Sequence, residues 1–234
     1  MTNCINAEAG THAKRIIMCG DIVFYKGDGV DMKKKSLLLI ILTAVFLVTS
    51  CGRKMTEERI GEIIGTDELK SEYYFASFVI NTDELSEVTT FAKYIFVGTV
   101  EEYLKTEYSP ESDDEIFTYY SVKVLENVKG ELVQDRNIEV KKAGGITKNQ
   151  DAFLLCVGDI LPAVGGTYIF AAVMFESDGS IYCFGPNTVR QIENADDYKN
   201  DSTYISYVDA MKTVSDNVPA REWPMSRYDV LYKE

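Results

Sequence analysis

Between residues 91 and 193 the chain alternates short apolar runs with polar turns, at a spacing that suits strands rather than helices. "FAKYIFVGTVEEY" (91–103) is β-branched and aromatic, with apolar residues at odd and even positions. That pattern predicts a strand covered by a core on one side and partly on the other. After "SPESDDE" (109–115), a solvated turn, "IFTYYSVKVLENVKG" (116–130) sets Tyr120, Val122 and Val124 in alternation with Ser121 and Lys123, and Gly130 closes this second strand. "RNIEVKKAGG" (136–145) sends Ile138 and Val140 to one face and Asn137, Glu139 and Lys141 to the other, a half-buried strand ended by Gly144-Gly145. "TYIFAAVMFESDGSIYCFGPNTVRQIE" (167–193) reads as two apolar runs about Ser177-Asp178-Gly179, a hairpin. Gly185-Pro186-Asn187 marks a break before a short last strand.

The flanks follow other periods. "GRKMTEERIGEIIGTDELKSE" (52–72) is polar and charged with Ile60, Ile63 and Ile64 at helical spacing, which predicts a tether containing a short helix. "YYFASFVI" (73–80) is expected to form a first strand or a packed segment. Asp201 or Ser202 can cap a helix that places Tyr204, Tyr207, Val208, Met211 and Val214 on one face and ends near Asn217 and Pro219. "PAREWPMSRYDVLYKE" (219–234) carries the sole Trp, Trp223, and is expected to lie over the sheet surface; no internal repeat is visible.

Upstream of all this, Lys33, Lys34 and Lys35 precede a twelve-residue apolar run, Leu37 to Val48, and small residues follow it. That is the layout of a secretory signal peptide. A helix of that length spans ~18 Å, short of the ~30 Å hydrocarbon core. Val48-Thr49-Ser50-Cys51 resembles the bacterial lipobox. The resemblance implies that the Cys51 thiol receives a diacylglyceryl group and that a signal peptidase recognising Val48, Thr49 and Ser50 cuts just before it. Two acyl chains then hold the protein on membrane lipid more firmly than one would. Residues 1–31 show no sustained period, and Lys26-Gly27-Asp28 can be encoded by AAAGGAGAT, a purine-rich ribosome-binding sequence shortly before Met32. Translation is therefore expected to start at Met32, the alternative being a genuine extension.

From Cys51 onward, 18 basic residues stand against 33 acidic ones, a net of −15 compared with −13 for the whole chain. Such a surface repels phosphate backbones, so no nucleic-acid partner is expected, and it repels anionic headgroups, so attachment should depend on the lipid. The single histidine, His12, precedes the expected cleavage point. Its loss removes Ser-His-Asp and Cys-His catalysis and His-ligated zinc. Cys4 and Cys19 lie in the doubtful extension, which leaves Cys156 and Cys183 either as a disulfide or as two separate buried thiols. The acidic clusters Asp113, Asp114, Glu115 and Asp196, Asp197, Asp201 lack the ligand spacing of a calcium loop, as does "GDGVD" (27–31) by its position, so no metal and no cofactor are expected. Lys141-Lys142 before Gly144-Gly145 lacks the spacing of a phosphate-binding loop.

The order "AKYIFVGTVEEY", "YYSVKVLENVKG", "GGTYIFAAVMFESDGSIYCFGPN" resembles the strand blocks of the netrin-like and tissue-inhibitor-of-metalloproteinase family, over roughly residues 90–193. "GDILPAVGGTYIFAA" (158–172) is also similar to short Gram-positive lipoproteins. The resemblance implies a mainly β fold, a five-stranded OB-type barrel (73–193) with a C-terminal amphipathic helix and tail (194–234) packed on it. The inhibitors' free N-terminal cysteine does not carry over, because Cys51 would be lipidated and no Cys-x-Cys follows it. OB-type barrels often bind across their central strands, so the outer side of 116–128 and 136–142 is the expected binding face, with Tyr119 and Lys141 as its probes. The expected function is that of a monomeric, membrane-anchored, extracytoplasmic and non-catalytic lipoprotein that binds an envelope protein, a peptide or a wall glycan. The alternative is an envelope enzyme using carboxylate or Ser/Lys chemistry. Replacing Cys51 with Ser is expected to release the domain from membranes or leave an uncleaved precursor, and to abolish metabolic palmitate labelling.

Overall fold

The computed structural model describes residues 54–231 apart from 111, 113, 114, 135 and 175–178. The chain divides into two units, Met1–Gly52 and Arg53–Glu234, and every described residue belongs to the second. Val48, Thr49, Ser50 and Cys51, like Asp113 and Asp114, lie outside the described residues. In chain order the elements begin with helix α1 (Glu57–Ile63), strand β1 (Lys70–Tyr74), helix α2 (Leu85–Phe91), β2 (Tyr94–Tyr108), β3 (Ile116–Lys129) and β4 (Ile138–Ala143). They continue with β5 (Gly145–Ile146), β6 (Ala152–Cys156), β7 (Thr167–Met174), β8 (Ile181–Cys183), β9 (Val189–Gln191), a 3₁₀ helix (Ala195–Asn200) and α3 (Ser202–Ala210). Among the described residues no helix is long and apolar enough to cross a membrane.

The chain is mainly β. Six strands are hydrogen-bonded in the order β2-β3-β4-β8-β7-β9, and β2 also pairs with β7, so the sheet closes partly into a ring. Neighbours are antiparallel except β4 and β8, which run parallel. Four register shifts interrupt the β2–β3 ladder, at Ile95/Phe96, Val97/Gly98, Val100/Glu102 and Tyr103/Lys105. Each bends and twists the pair, which lets two such long strands curve far enough to reach β7. β3 stops at Gly130, where φ is +78° and a Cβ would strike the Tyr94 ring. A separate three-stranded sheet, β1-β6-β5, has β1 parallel to β6.

Alternation sorts the side chains into two cores. Tyr94, Phe96, Tyr120, Val122, Ile138, Val140 and Phe170 fill the inside of the curved sheet. Ile95, Ile169, Ala171 and Val173, from the opposite parity of β2 and β7, pack outward against Val88 and Phe91 of α2 and Tyr207 of α3. This is why residues 94–97 are apolar at every position.

Two expectations are corrected. The short helix expected within 52–72 is present, but it is docked in the inner core and is not part of a free tether. Thr56 caps α1 by accepting from the Arg59 amide, and Ile60, Ile63 and Ile64 sit in the inner core. At ~1.5–3 kcal/mol for each fully buried isoleucine, that outweighs what an untethered seven-residue helix could supply by itself. Of the two alternatives for 73–80, the strand ends at Tyr74, and the rest is a loop whose Phe78 packs on Phe184 and whose Ile80 is buried in the outer core. Helix α3 is shorter than its apolar spacing suggests: it ends at Ala210, only Tyr207 is buried, and Val214 stands in solvent. Its cap is Asp201, which accepts from the amides of Thr203, Glu193 and Asn194. Burial would raise the Asp201 carboxyl, but these N–H groups together hold it below the usual range.

The C-terminal segment lies across the outer core. The Trp223 indole donates to the Phe91 carbonyl (3.0 Å), and the Tyr94 hydroxyl accepts from the Ser226 amide (2.9 Å) while donating to Asp229 (3.1 Å). Burial pushes the Tyr94 phenol up to about 12.

One polar pair sits inside the sheet. Lys142 shares the inward parity of Ile138 and Val140, and its ammonium donates to Asp159 and to the Ala143 carbonyl, with the Lys142 and Asp159 side chains 0% and 1% exposed. Removing one partner of such a pair strands the other charge in a dry site. Asp159→Ala is therefore expected to destabilise by ~3–5 kcal/mol, whereas the double variant Lys142→Met/Asp159→Leu should recover most of that loss; urea unfolding followed by Trp223 fluorescence measures both.

Candidate functional site

The ladder register carries one row of side chains across four strands on the sheet's outer face. Lys105 of β2 is the partner of Tyr119 on β3, Tyr119 of Lys141 on β4, and Lys141 of Tyr182 on β8. Alternation puts Tyr119 and Lys141 on the face opposite the inner core, and the register shift between Tyr103 and Lys105 turns Lys105 to the same side. The Lys105 ammonium lies 4.3 Å from the Tyr119 ring centre; that of Lys141 lies 4.1 Å from Phe117 and 5.4 Å from Tyr119. Such contacts are worth ~0.5–2 kcal/mol each and fix where the cations sit.

Tyr119 and Lys141 therefore come together as a cross-strand pair, but as a floor and not as a protruding rim: they are 3% and 5% exposed. Above them is a groove of about 520 Å³, walled by Lys105, Glu107, Glu139 and Arg227. A second hollow of about 510 Å³, beside Tyr74, Ala143 and Tyr182, shares Glu115 and Phe117 with the first. Arg227 arrives from the C-terminal segment, donates to Glu139 (3.2 Å) and stacks on the Tyr228 ring (4.9 Å). Lys105 pairs with Glu107 at 3.3 Å. The Tyr119 hydroxyl bonds to the Glu107 carboxylate and holds it below the usual range, an effect that burial opposes and Lys105 and Lys141 reinforce.

The groove thus offers the cations and carboxylates of its walls, with the half-buried Phe117 ring at its base, while Tyr119 and Lys141 are covered and act by holding the walls in place. It can pair with a ligand's charged or amide groups. Phe117 was legible in the sequence, since it shares the parity of Tyr119. Lys105 needed the bulged register, and Arg227 gives no sequence signal at all, being placed by the fold of a distant segment.

The other expected residues are elsewhere. Cys156 and Cys183 end strands of different sheets and are both buried free thiols. Burial pushes the Cys183 thiol up to about 12, with Lys142 lowering it and Asp159 raising it, so it is held protonated. Asp197 accepts from the Asn200 amide and Asp201 caps α3, so the second acidic cluster is engaged in local structure. Among the described residues no three His, Cys, Asp or Glu side chains converge as a metal site. Neither the known protein families nor the curated proteins compared with this chain match it.

Tyr119→Phe is expected to raise the Glu107 pKa toward its ordinary ~4.3, measurable by carboxyl NMR titration. Because the carboxyl is depressed in the folded protein, its contribution to stability is present above that ordinary value. It is lost as pH falls through the lowered one.

Proposed function

We propose that the protein is a membrane-anchored, extracytoplasmic binding module that acts without catalysis, held by an acylated Cys51. Its barrel is read as OB-type: the circuit β2-β3-β4-β8-β7 and back to β2 uses five strands, with α1, α2 and α3 packed on them. The observation that carries the reading is the groove over Tyr119 and Lys141, which lies across the middle strands of that circuit. Its ligand is an envelope protein, a peptide or a wall glycan, recognised by the charged walls of the groove and by contact with the half-buried Phe117 ring.

Two features favour binding over turnover. The chain after Cys51 has no histidine, and Glu107 is held at a low pKa, away from the near-neutral value a general acid or base needs. Fixed cation–aromatic contacts favour recognition, because they remove side-chain freedom before a ligand arrives.

The test uses the soluble Arg53–Glu234 domain as bait for envelope proteins and for purified wall glycan, beside a Lys105→Glu/Arg227→Glu variant. Both replaced side chains are about half exposed, so folding should be unaffected. Retention of the partner is expected to fall on the order of tenfold or more in the variant. If no partner is retained while a substrate screen finds turnover abolished by changing one Asp or Glu, the enzyme reading replaces this one.

A further inference from the structure

Three large apolar side chains stand in solvent within seven residues: Tyr73 (59% exposed), Phe75 (90%) and Val79 (69%). Val157, also exposed, lies beside them, since its amide donates to the Tyr74 carbonyl (3.0 Å). Behind the loop is an apolar cavity of about 540 Å³ lined by Phe78, Phe91, Met174, Phe184 and Trp223. The rings form a connected platform, with centres 5.7 Å apart for Phe78–Phe184 and Phe91–Phe184 and 5.1 Å for Phe91–Trp223. Phe78 fits only because residue 185 is glycine, whose added Cβ would fall 2.6 Å from the ring. The loop is thus seated on a packed base while it displays Phe75 and Val79 outward.

We propose that this patch is a second membrane contact, in which Phe75 and Val79 enter the headgroup–acyl boundary of the bilayer that holds Cys51. The inference rests on the lipid-anchor reading for its geometry. Met55 is hydrogen-bonded through its amide to Gln150, just ahead of Ala152, the β6 partner of Lys70. Phe75 lies past the other end of β1, ~16 Å from Lys70 at ~3.3 Å per residue. The four residues from Cys51 to Met55 reach at most ~14 Å. Both ends of β1 can therefore touch one bilayer surface. A patch held this close to lipid meets it at high effective concentration, which a free protein partner would have to overcome. Among the described residues lining the cavity the one charged side chain is Arg221, stacked 4.1 Å over Trp223, so no described carboxylate stands at the base of the patch to repel a headgroup phosphate.

Every residue of both cores lies between Met55 and Tyr228, so the Arg53–Glu234 domain folds without the anchor. It should partition into neutral phosphatidylcholine vesicles, with a blue shift of Trp223 emission, and less well when phosphatidylglycerol is added, because the domain is acidic; no partition into neutral vesicles overturns the proposal. Phe75→Ser/Val79→Ser, both changes at exposed positions, should lower that partition on the order of tenfold with near-ultraviolet circular dichroism unchanged. In the full lipidated chain, brominated lipids should quench Trp223, and the double variant should stay on the membrane but lose the quenching. Unchanged partition and quenching in the double variant overturn the proposal. So does a wild-type domain that dimerises through this patch, a property the double variant would lose. Failure of the anchor reading shows separately, as undiminished palmitate labelling when Cys51 is replaced with Ser.

Discussion

Strand β2 has to satisfy two neighbours and two cores at once. Its backbone pairs with β3 along its whole length and with β7 over Tyr94–Thr99, while its side chains feed the inner cluster with Tyr94 and Phe96 and the outer one with Ile95. Without the β7 pairing the ring is open, and the outer cluster loses the floor on which α2, α3 and Trp223 rest. A strand in that position cannot be polar on either face, and the bulges beyond Ile95 are what let it leave one partner for solvent while it follows the other. Past Val100 the demand from β7 ends, and exposed Glu101, Glu102 and Lys105 appear at once.

The same logic decides what was legible. Strands with clean alternation, β3 and β4, were readable from Tyr120, Val122, Val124, Ile138 and Val140, because one-sided burial writes itself as a period of two. The doubly buried β7 was readable as an apolar run. Strand β6 and helix α2 were not, since "AFLLC" and "LSEVTTF" are too short to hold a period and owe their form to neighbours far along the chain. The isoleucines of 60–64 gave the helix but not its burial. Whether a short amphipathic segment docks depends on a hole that only the assembled sheet provides. Lys142 was hidden by Lys141: a pair of adjacent lysines looks like a solvated edge until Asp159 is seen to arrive from the loop after β6.

Lys141 and Lys142 show how one strand sets two environments a residue apart. Inside, the Lys142 side chain is shut off from water and bonded to Asp159 and a backbone carbonyl, an arrangement that fixes register more than it adds stability. Outside, Lys141 is covered as thoroughly, but by the faces of Phe117 and Tyr119. A one-residue slip of β4 would put Lys141 in the core without Asp159 and would expose Val140, so the buried pair locks the outer row in place as well. The site's geometry is in this sense set from the inside of the sheet.

The outer surface of the ring is unevenly covered. On the side of β2 and β7, α2, α3 and the C-terminal segment lie against the sheet. On the side of β3 and β4, the groove over Lys105, Tyr119 and Lys141 is lined, among the described residues, by strands, the 109–115 turn and Arg227 and by no helix residue. Three cations stand there, at Lys105, Lys141 and Arg227, within a chain of net −13. A strongly anionic polymer approaching this molecule meets the repulsion of the net negative chain over a Debye length of ~8 Å, against the three cations of this groove. A neutral or zwitterionic ligand does not meet that barrier. It can approach the groove and present single carboxylates or amides to Lys105 and Arg227 on its walls. For the binding role proposed above, the charge distribution favours a peptide or a neutral glycan over a polyanion.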